Sequence, residues 1–326
     1  MRRLMVQAER WPVRGSFTIS RGSVDHVEVV TVALAEGDAV GHGECRPYPR
    51  YGESAESAIA TIESVRPVVE GGADRRELAT ALPAGAARNA LDCALWDLEA
   101  KRRREPVWRL AGLPEPRPVL TAYTLSLDTP ERMAEAARAA AGRPLLKLKL
   151  GGEGDLDRVA AVRAAAPDAA LIADANEAWT PDQLRRWLPE LAALGVELIE
   201  QPLPAGQDTA LAGIARPVPI CADESCHDSA SLDALVGRYD YVNLKLDKTG
   251  GLTEARRAAA KAQELGFGLM VGCMVATSLA MAPAGLLAQL ARYADLDGPL
   301  LLAKDREPGL RYDGSLLHPP EAALWG

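Results

Sequence analysis

Eight short apolar runs recur from residue 119 onward: "VLTAYTLS", "LLKLKL", "ALIADANEA", "VELIEQPL", "VPICADES", "YVNLKLDKT", "FGLMVGCM" and "ADLDGPLLL". Between them lie segments rich in Ala, Leu, Glu and Arg with apolar residues at helical spacing, such as "PERMAEAARAAAG", "PDQLRRWLPELAALG" and "TEARRAAAKAQELG". Several open on Thr-Pro or Ser and close on Gly, the residues helix ends prefer. Alternating strands and helices predict a parallel sheet, because each helix returns the chain to the edge where the strand began. Eight such strands predict a closed α/β barrel. An open doubly wound sheet is the rival; it usually has fewer strands, and no G-x-G-x-x-G follows any strand here.

The first 115 or so residues lack this rhythm. "HVEVVTVALAEGDAVGHGE" reads as two strands joined by a Gly-Asp turn, and "SAESAIATIESVRPVVEG" and "AARNALDCALWDLEAKRRR" read as helices. The expected organisation is an α+β block over 1–115, joined by the C-terminal tail 306–326, and a barrel over 116–305. "PEPRP" at 114–118 is the expected linker, and "KRRRE" at 101–105 the exposed end of a helix.

Composition narrows the function. The net charge of −8 counts against nucleic acid as partner. No apolar window is long enough to predict a membrane span, and "MRRLMVQAERWP" holds no sustained apolar stretch, so no leader is expected. Five cysteines without metal spacing and four histidines without a pair argue against zinc and suggest reduced thiols in a cytoplasm.

Barrel enzymes carry their chemistry at the carboxyl ends of the strands. There the apolar runs carry charge after charge: Lys147 and Lys149, Asp174, Glu200, Asp223, Lys245, then Asp295 and Asp297. Three carboxylates on three successive strands repel unless a cation lies among them, and oxygen-only ligands suit a hard ion, Mg²⁺ before others. Taken singly, each carboxylate has a competing role as a helix cap. Lys149 precedes the carboxylate strands and Lys245 follows them, which places them on opposite sides of a substrate. Lys147, two residues from Lys149, points to the same side; a neighbouring cation lowers the pKa of a lysine and suits it to act as a base. The competing reading has both lysines simply neutralising the carboxylates. Two bases about a metal suggest proton removal next to a carboxylate, stabilisation of the enediolate, and proton return from the other face.

With these motifs in order, the chain resembles the enolase superfamily in its muconate-lactonizing subgroup, and within it the dipeptide epimerases of the L-Ala-D/L-Glu type. The resemblance runs over nearly the whole chain, through "FTISRG", "GHGECRPYPRYGES", "NALDCALWDLEAK", "LKLKLGG", "IADANEAW", "IEQPL", "CADES", "NLKLDKTGG", "GCMVATSLAMAPA" and "DLDGPLLL". It implies a (β/α)7β TIM-like barrel with an N-terminal α+β capping domain, whose loops near 14–24 and 46–54 close the barrel mouth. It also implies one Mg²⁺ per subunit on Asp174, Glu200 and Asp223, acid/base catalysis by Lys149 and Lys245, Lys147 near the substrate carboxylate, and a homo-oligomer.

The substrate follows from four further sites. Asp295 and Asp297 are spaced to face the mouth together and suit a free ammonium, as in the resembled epimerases; a solvated "DLDG" turn is the alternative. Arg21, by the same resemblance, meets a side-chain carboxylate of the second residue, unless it is a surface arginine. Thr124 matches a substrate-contacting threonine, or is a buried hydroxyl bonded to backbone. Cys273 and Met274 are expected to shape the pocket. The reading is a dipeptide epimerase acting on L-Ala-L-Glu or L-Ala-D-Glu, as arise from peptidoglycan peptides. A muconate cycloisomerase, an o-succinylbenzoate synthase and an N-succinylamino acid racemase are the alternatives on the same scaffold, and a non-catalytic binding barrel the remote one.

Overall fold

The computed structural model describes residues 1–326. An antiparallel sheet comes first, from β1 (Arg3–Ile19), β2 (Gly22–Glu36) and β3 (Ala39–Cys45). β1 was not legible in the sequence, because its arginines and Pro12 break any apolar alternation; it is held through pairing with β2 over nearly its whole length. The segment 14–24, expected as a loop, is the far end of this β1–β2 hairpin. The helices α1 (Ala55–Ser64), α2 (Arg66–Glu70), α3 (Arg75–Ala81), α4 (Ala86–Arg103) and α5 (Val107–Leu110) follow. Reciprocal side-chain to backbone bonds close the first turns of α1 (Ser54 with Ser57) and α3 (Asp74 with Glu77). α4 lies on β3 so closely that a Cβ on Gly43 would stand 2.0 Å from the Ala90 carbonyl oxygen, and one on Gly41 2.2 Å from that of Ala94. The bare glycine backbone makes this approach possible.

After the short β4 (Val119–Leu120) the barrel begins. Its order is β5 (Tyr123–Leu125), α6 (Pro130–Ala139), β6 (Leu145–Lys149), α7 (Asp155–Ala165), β7 (Ala170–Asp174), α8 (Pro181–Ala193), β8 (Val196–Glu200), β9 (Ile220–Ala222), β10 (Tyr241–Leu244), α9 (Leu246–Thr249), α10 (Leu252–Glu264), β11 (Gly268–Gly272), α11 (Ser278–Leu287), β12 (Tyr293–Asp295) and α12 (Gly298–Leu301). The strands from β5 to β12 pair in parallel in chain order, and a bridge from Thr121 to Ala294 brings the two edges together. All eight apolar runs became these strands. The helical rhythm is less regular than expected, since the connections after β8 and β9 hold only 3-10 turns, Thr209–Gly213 and Leu232–Leu235. The tail adds β13 (Tyr312–Asp313) and β14 (Leu316–Leu317), which pair with β4. It ends with Trp325 buried, its indole N–H donating to the Cys93 carbonyl of α4.

Strand alternation divides the barrel interior into layers. The lower layer is apolar: Ala122, Leu145, Ile172, Leu198, Cys221, Met270 and Tyr293. Two residues further along the same strands come Thr124, Lys147, Asp174, Glu200, Asp223 and Asp295. Two buried carboxylates fix the N-terminal sheet and α4 over this upper layer. Glu44 accepts from the Thr277 N–H at 2.8 Å and from Arg306 at 2.7 Å. Asp247 accepts from the Arg46 N–H at 3.0 Å and from Asn89 at 2.8 Å.

Candidate active site

Backbone register sets Lys149, Asp174 and Glu200 side by side on β6, β7 and β8. Cys221 pairs with Glu200, so Asp223, two residues on, lies just beyond the end of β9, further toward the mouth. Above them a cavity of about 480 Å³ opens between the barrel and the N-terminal segments. Lys149, Lys245, Asp223, Asp295, Asp297, Thr124, Cys273, Met274 and Arg21 all line it. Asp174, Glu200 and Lys147 are buried and lie beneath them.

The carboxylates and ammonium groups form a lattice. Lys147 Nζ lies 2.6 Å from both Asp295 and Glu200, and 3.3 Å from Asp174. Lys149 reaches Asp174 at 2.6 Å. Asp223 takes Lys245 at 2.8 Å and Lys248 at 2.6 Å. Burial would raise the Asp174 carboxyl, but Lys149 and Lys147 pull it down to about 2. Asp223 is likewise held well below its ordinary value by Lys245 and Lys248 against the effect of burial. Glu200 goes the other way, up to about 7, through burial and the charge of Asp174. As the side chains stand, no three acidic groups are arranged around a space for an ion, because each is turned to an ammonium.

Lys147 differs from the expectation in two ways. It does not line the cavity, and its charge is taken up by three carboxylates. Burial would lower its pKa, but Asp295 and Glu200 raise it well above the ordinary lysine value. The like-charge pair in "LLKLKL" is therefore compensated from the neighbouring strands. Asp295 and Asp297 reach the mouth differently from two residues on one strand. Asp295 ends β12, whereas Asp297 lies beyond it at the start of α12 and accepts the Thr124 backbone N–H at 2.6 Å. Burial and the charge of Asp295 push the Asp297 carboxyl up to about 7.

Arg21 at the hairpin tip meets barrel acids while its side chain stays 28% exposed. Its guanidinium lies 2.8 Å from Glu224 and 3.2 Å from Glu177, and donates to the Asn176 carbonyl at 3.1 Å. Arg50, in the other expected closing loop, grips Glu177 with two bonds of 2.8 and 2.9 Å. Sequence reading missed Asn176, Glu177, Glu224, Asn243 and Lys248. The signal was local: Glu224 adjoins Asp223 in "CADES", and Lys248 follows Lys245 at i+3, the neighbour spacing of a helix. Asn176, Glu177 and Gln201 have left-handed backbone (φ 43°, 68° and 34°), which for non-glycine residues is strained and concentrates at functional sites. Gln201 uses that turn to accept the Asp223 and Ser225 N–H groups at 2.9 and 3.1 Å.

Several buried polar atoms around the lattice have no aligned hydrogen-bond donor: Glu200 Oε2, Glu224 Oε2 and the side-chain oxygens of Asn176 and Asn243. Lys147 Nζ is 2.6 Å from Glu200 Oε2, so that contact is an ion pair without hydrogen-bond alignment. The other Glu200 oxygen accepts from Asn243 at 2.7 Å.

Comparison with known proteins follows this geometry. Residues 1–112 match the mandelate racemase / muconate lactonizing enzyme N-terminal domain, and residues 131–323 match the enolase C-terminal domain-like family. The L-Ala-D/L-Glu epimerase of Escherichia coli is 51% identical over 98% of this chain and 100% of its own length. The N-acetyl-D-glutamate racemase of Pseudoalteromonas is 47% identical over 91% of this chain and 95% of its own. An enolase family member from Agrobacterium tumefaciens, solved with sodium and L-Ala-L-Glu, superposes over the full length of both chains with TM-score 0.98 at 54% identity. The dipeptide epimerase of Enterococcus faecalis, solved with Mg and L-Leu-L-Tyr, gives TM-score 0.91 at 30% identity over 98% of this chain and 96% of that one.

Proposed function

This chain belongs to the enolase superfamily, and from that premise we propose that it is a Mg²⁺-dependent dipeptide epimerase acting on L-Ala-L-Glu and L-Ala-D-Glu. The observation that carries the reading is the ring of charge above one apolar barrel layer. Lys149 and Lys245 flank three carboxylates, with Asp297 and Arg21 at two edges of the same cavity.

Asp174, Glu200 and Asp223 are the residues to hold the ion. They are buried, contribute oxygen only, and leave Glu200 Oε2 without an aligned donor, which suits a hard cation. When bound, Mg²⁺ supplies positive charge to offset the negative charge that develops on the substrate carboxylate as its α-proton leaves. The chain does the rest. Lys149 Nζ and Lys245 Nζ reach the cavity from β6 and from the end of β10, four strands away around the barrel. One takes the α-proton of the second residue; the other returns a proton to the opposite face, and the centre inverts. Each lysine must be a neutral amine in one direction of turnover and an ammonium in the other. Asp297 receives the dipeptide ammonium, because Asp295 is already engaged by Lys147. Arg21 and Arg50 face the glutamate side chain, with Glu177 and Glu224 holding Arg21 in place. Phe17, whose ring centroid is 5.9 Å from Lys149 Nζ, keeps that ammonium from bulk water.

A second reading has one specific support: the 47% identical relative that racemises N-acetyl-D-glutamate, a substrate without an ammonium. Proton NMR in D₂O with Mg²⁺ separates the two. With L-Ala-L-Glu the Glu α-proton signal disappears and the L-Ala-D-Glu diastereomer grows in. Exchange with N-acetyl-L-glutamate and none with the dipeptide would overturn the first reading.

A further inference from the structure

The cavity at the barrel mouth is not the largest in the molecule. Another, of about 940 Å³, lies between α3, α4 and α10 and shares no lining residue with it. Arginines line it from every side: Arg75 and Arg76 from the start of α3, Arg102 and Arg103 from the end of α4, Arg256 and Arg257 from α10, and Arg2. The chain as a whole carries a net charge of −8, so this concentration runs against its composition.

The local carboxylates do not balance these groups. Glu36 is shared by Arg2 and Arg102, at 3.0 and 2.8 Å. Glu99 is shared by Arg75 and Arg103. Glu254 holds Arg257 at 3.1 Å and also accepts from Ser229. Asp74 is committed to the first turn of α3, where it accepts the Arg76 and Glu77 N–H groups at 2.8 Å. Arg76 and Arg256 have no carboxylate within ion-pair distance and no side-chain hydrogen bond.

Helix-end electrostatics explain Arg102 and Arg103, which sit in the last turn of α4 where cations are favoured. They do not explain Arg75 and Arg76, which sit in the first turn of α3 where cations are disfavoured. At the floor, Arg75 lies 3.5 Å and Arg256 5.9 Å from the centre of the same Trp96 ring. The indole N–H is already spent on Thr253 at 2.9 Å. Two guanidiniums therefore crowd one aromatic ring and repel each other on a concave surface, with donors converging and few acceptors among them.

We infer that this arginine-lined cavity between α3, α4 and α10 binds a small multivalent oxyanion of the phosphate-ester class. Guanidinium forks match phosphate oxygens two at a time, and an anion between Arg75, Arg76 and Arg256 removes their mutual repulsion. The concave shape and the net charge of −8 of the chain as a whole favour a small ligand over a nucleic-acid strand.

The test is isothermal titration of the Mg²⁺-loaded protein with fructose 1,6-bisphosphate at fixed ionic strength. Saturable one-to-one binding is expected, weakened about tenfold or more by Arg256→Ala and by Arg76→Ala, the loss of a charge-assisted contact. Neither side chain makes a bond that holds the fold, so neither substitution should lower the melting temperature, Arg256→Ala relieving repulsion from Arg75, and the epimerase rate should not change. The inference is overturned by two results: no saturable binding, in which case an oligomer that Arg256→Glu dissociates in light scattering makes the face a subunit contact; or binding that survives both substitutions but is lost in Arg21→Ala, which places the anion at the barrel mouth.

Discussion

Replacing Asp297 with Asn tests the substrate assignment most directly. Asp297 is 3% exposed and lines the cavity, and an Asn oxygen can still accept the Thr124 N–H that Asp297 holds at 2.6 Å. The substitution thus removes the charge and keeps the local bond. A buried charge-assisted contact to a substrate ammonium contributes about 3 kcal/mol, so kcat/KM for L-Ala-L-Glu should fall roughly 100-fold. N-acetyl-L-glutamate, which has no ammonium, should be affected little. The pH profile sharpens the test. Burial and Asp295 raise this carboxyl from 3.8 to about 7, so it is protonated below pH 7 and charged above. Dipeptide kcat/KM should therefore decline as pH falls through 7, and Asp297→Asn should abolish that limb. Stability carries the opposite sign. Between pH 4 and pH 7 the unfolded carboxyl has lost its proton while the folded one keeps it, so this group costs stability progressively through that window and in full above it. Asp297→Asn should accordingly raise the melting temperature at pH 8, by a free energy on the order of a few kcal/mol. Equal losses for the two substrates, with the acid limb unchanged, would refute the ammonium assignment.

Removing either lysine is the next check. Lys149→Ala and Lys245→Ala should each slow epimerisation by about 1,000-fold, and each should abolish α-proton exchange from only one of the two diastereomers, read by proton NMR in D₂O. Glu177→Gln weakens the grip on Arg50 and Arg21; these partly exposed pairs contribute about 1 kcal/mol, so steady-state kinetics should show KM raised several-fold with kcat nearly constant. Gly43→Ala drives a Cβ to 2.0 Å from the Ala90 carbonyl and should cost at least about 3 kcal/mol in urea unfolding, whereas Gly213→Ala, with open space around it, should be nearly neutral.

The barrel strands were legible because all are apolar runs and six of the eight carry a charge at the carboxyl end, a pattern burial alone does not produce. β1 was not, since its stability comes from pairing with β2 and not from its own alternation. The turns after β8 and β9 were overestimated as helices because chain length between strands does not reveal whether the residues wind into a full helix. In the site, most charged residues on the inward parity of the strands were found, while Asn243 of β10 and the residues Asn176, Glu177, Glu224 and Lys248 on the turns beyond were not. Glu177 and Asn176 act through backbone that only the fold can force into left-handed conformation. Arg21 could be named from its loop, but its partners, Glu177 and Glu224, come from sequence positions more than 150 residues away.

The two lysines of "LLKLKL" show what a single strand leaves out of its own electrostatics. Parity puts both side chains inside the barrel, and there the expectation of mutual repulsion rests on nothing else being near. The parallel register supplies what a single strand cannot show: Lys149 stands opposite Asp174, and Asp174 opposite Glu200. β12 then brings Asp295 to Lys147 at 2.6 Å from two strands away around the closed barrel. A buried ammonium without these acids would be neutral, and buried carboxylates without the ammonium would protonate. Each makes the charge of the other tenable. That interdependence separates the pair by position: Lys147, wholly enclosed, is a cation that orders the carboxylates, while Lys149, with one acid beside it and an open cavity above, is the one placed to meet what enters there, as the proposed mechanism requires.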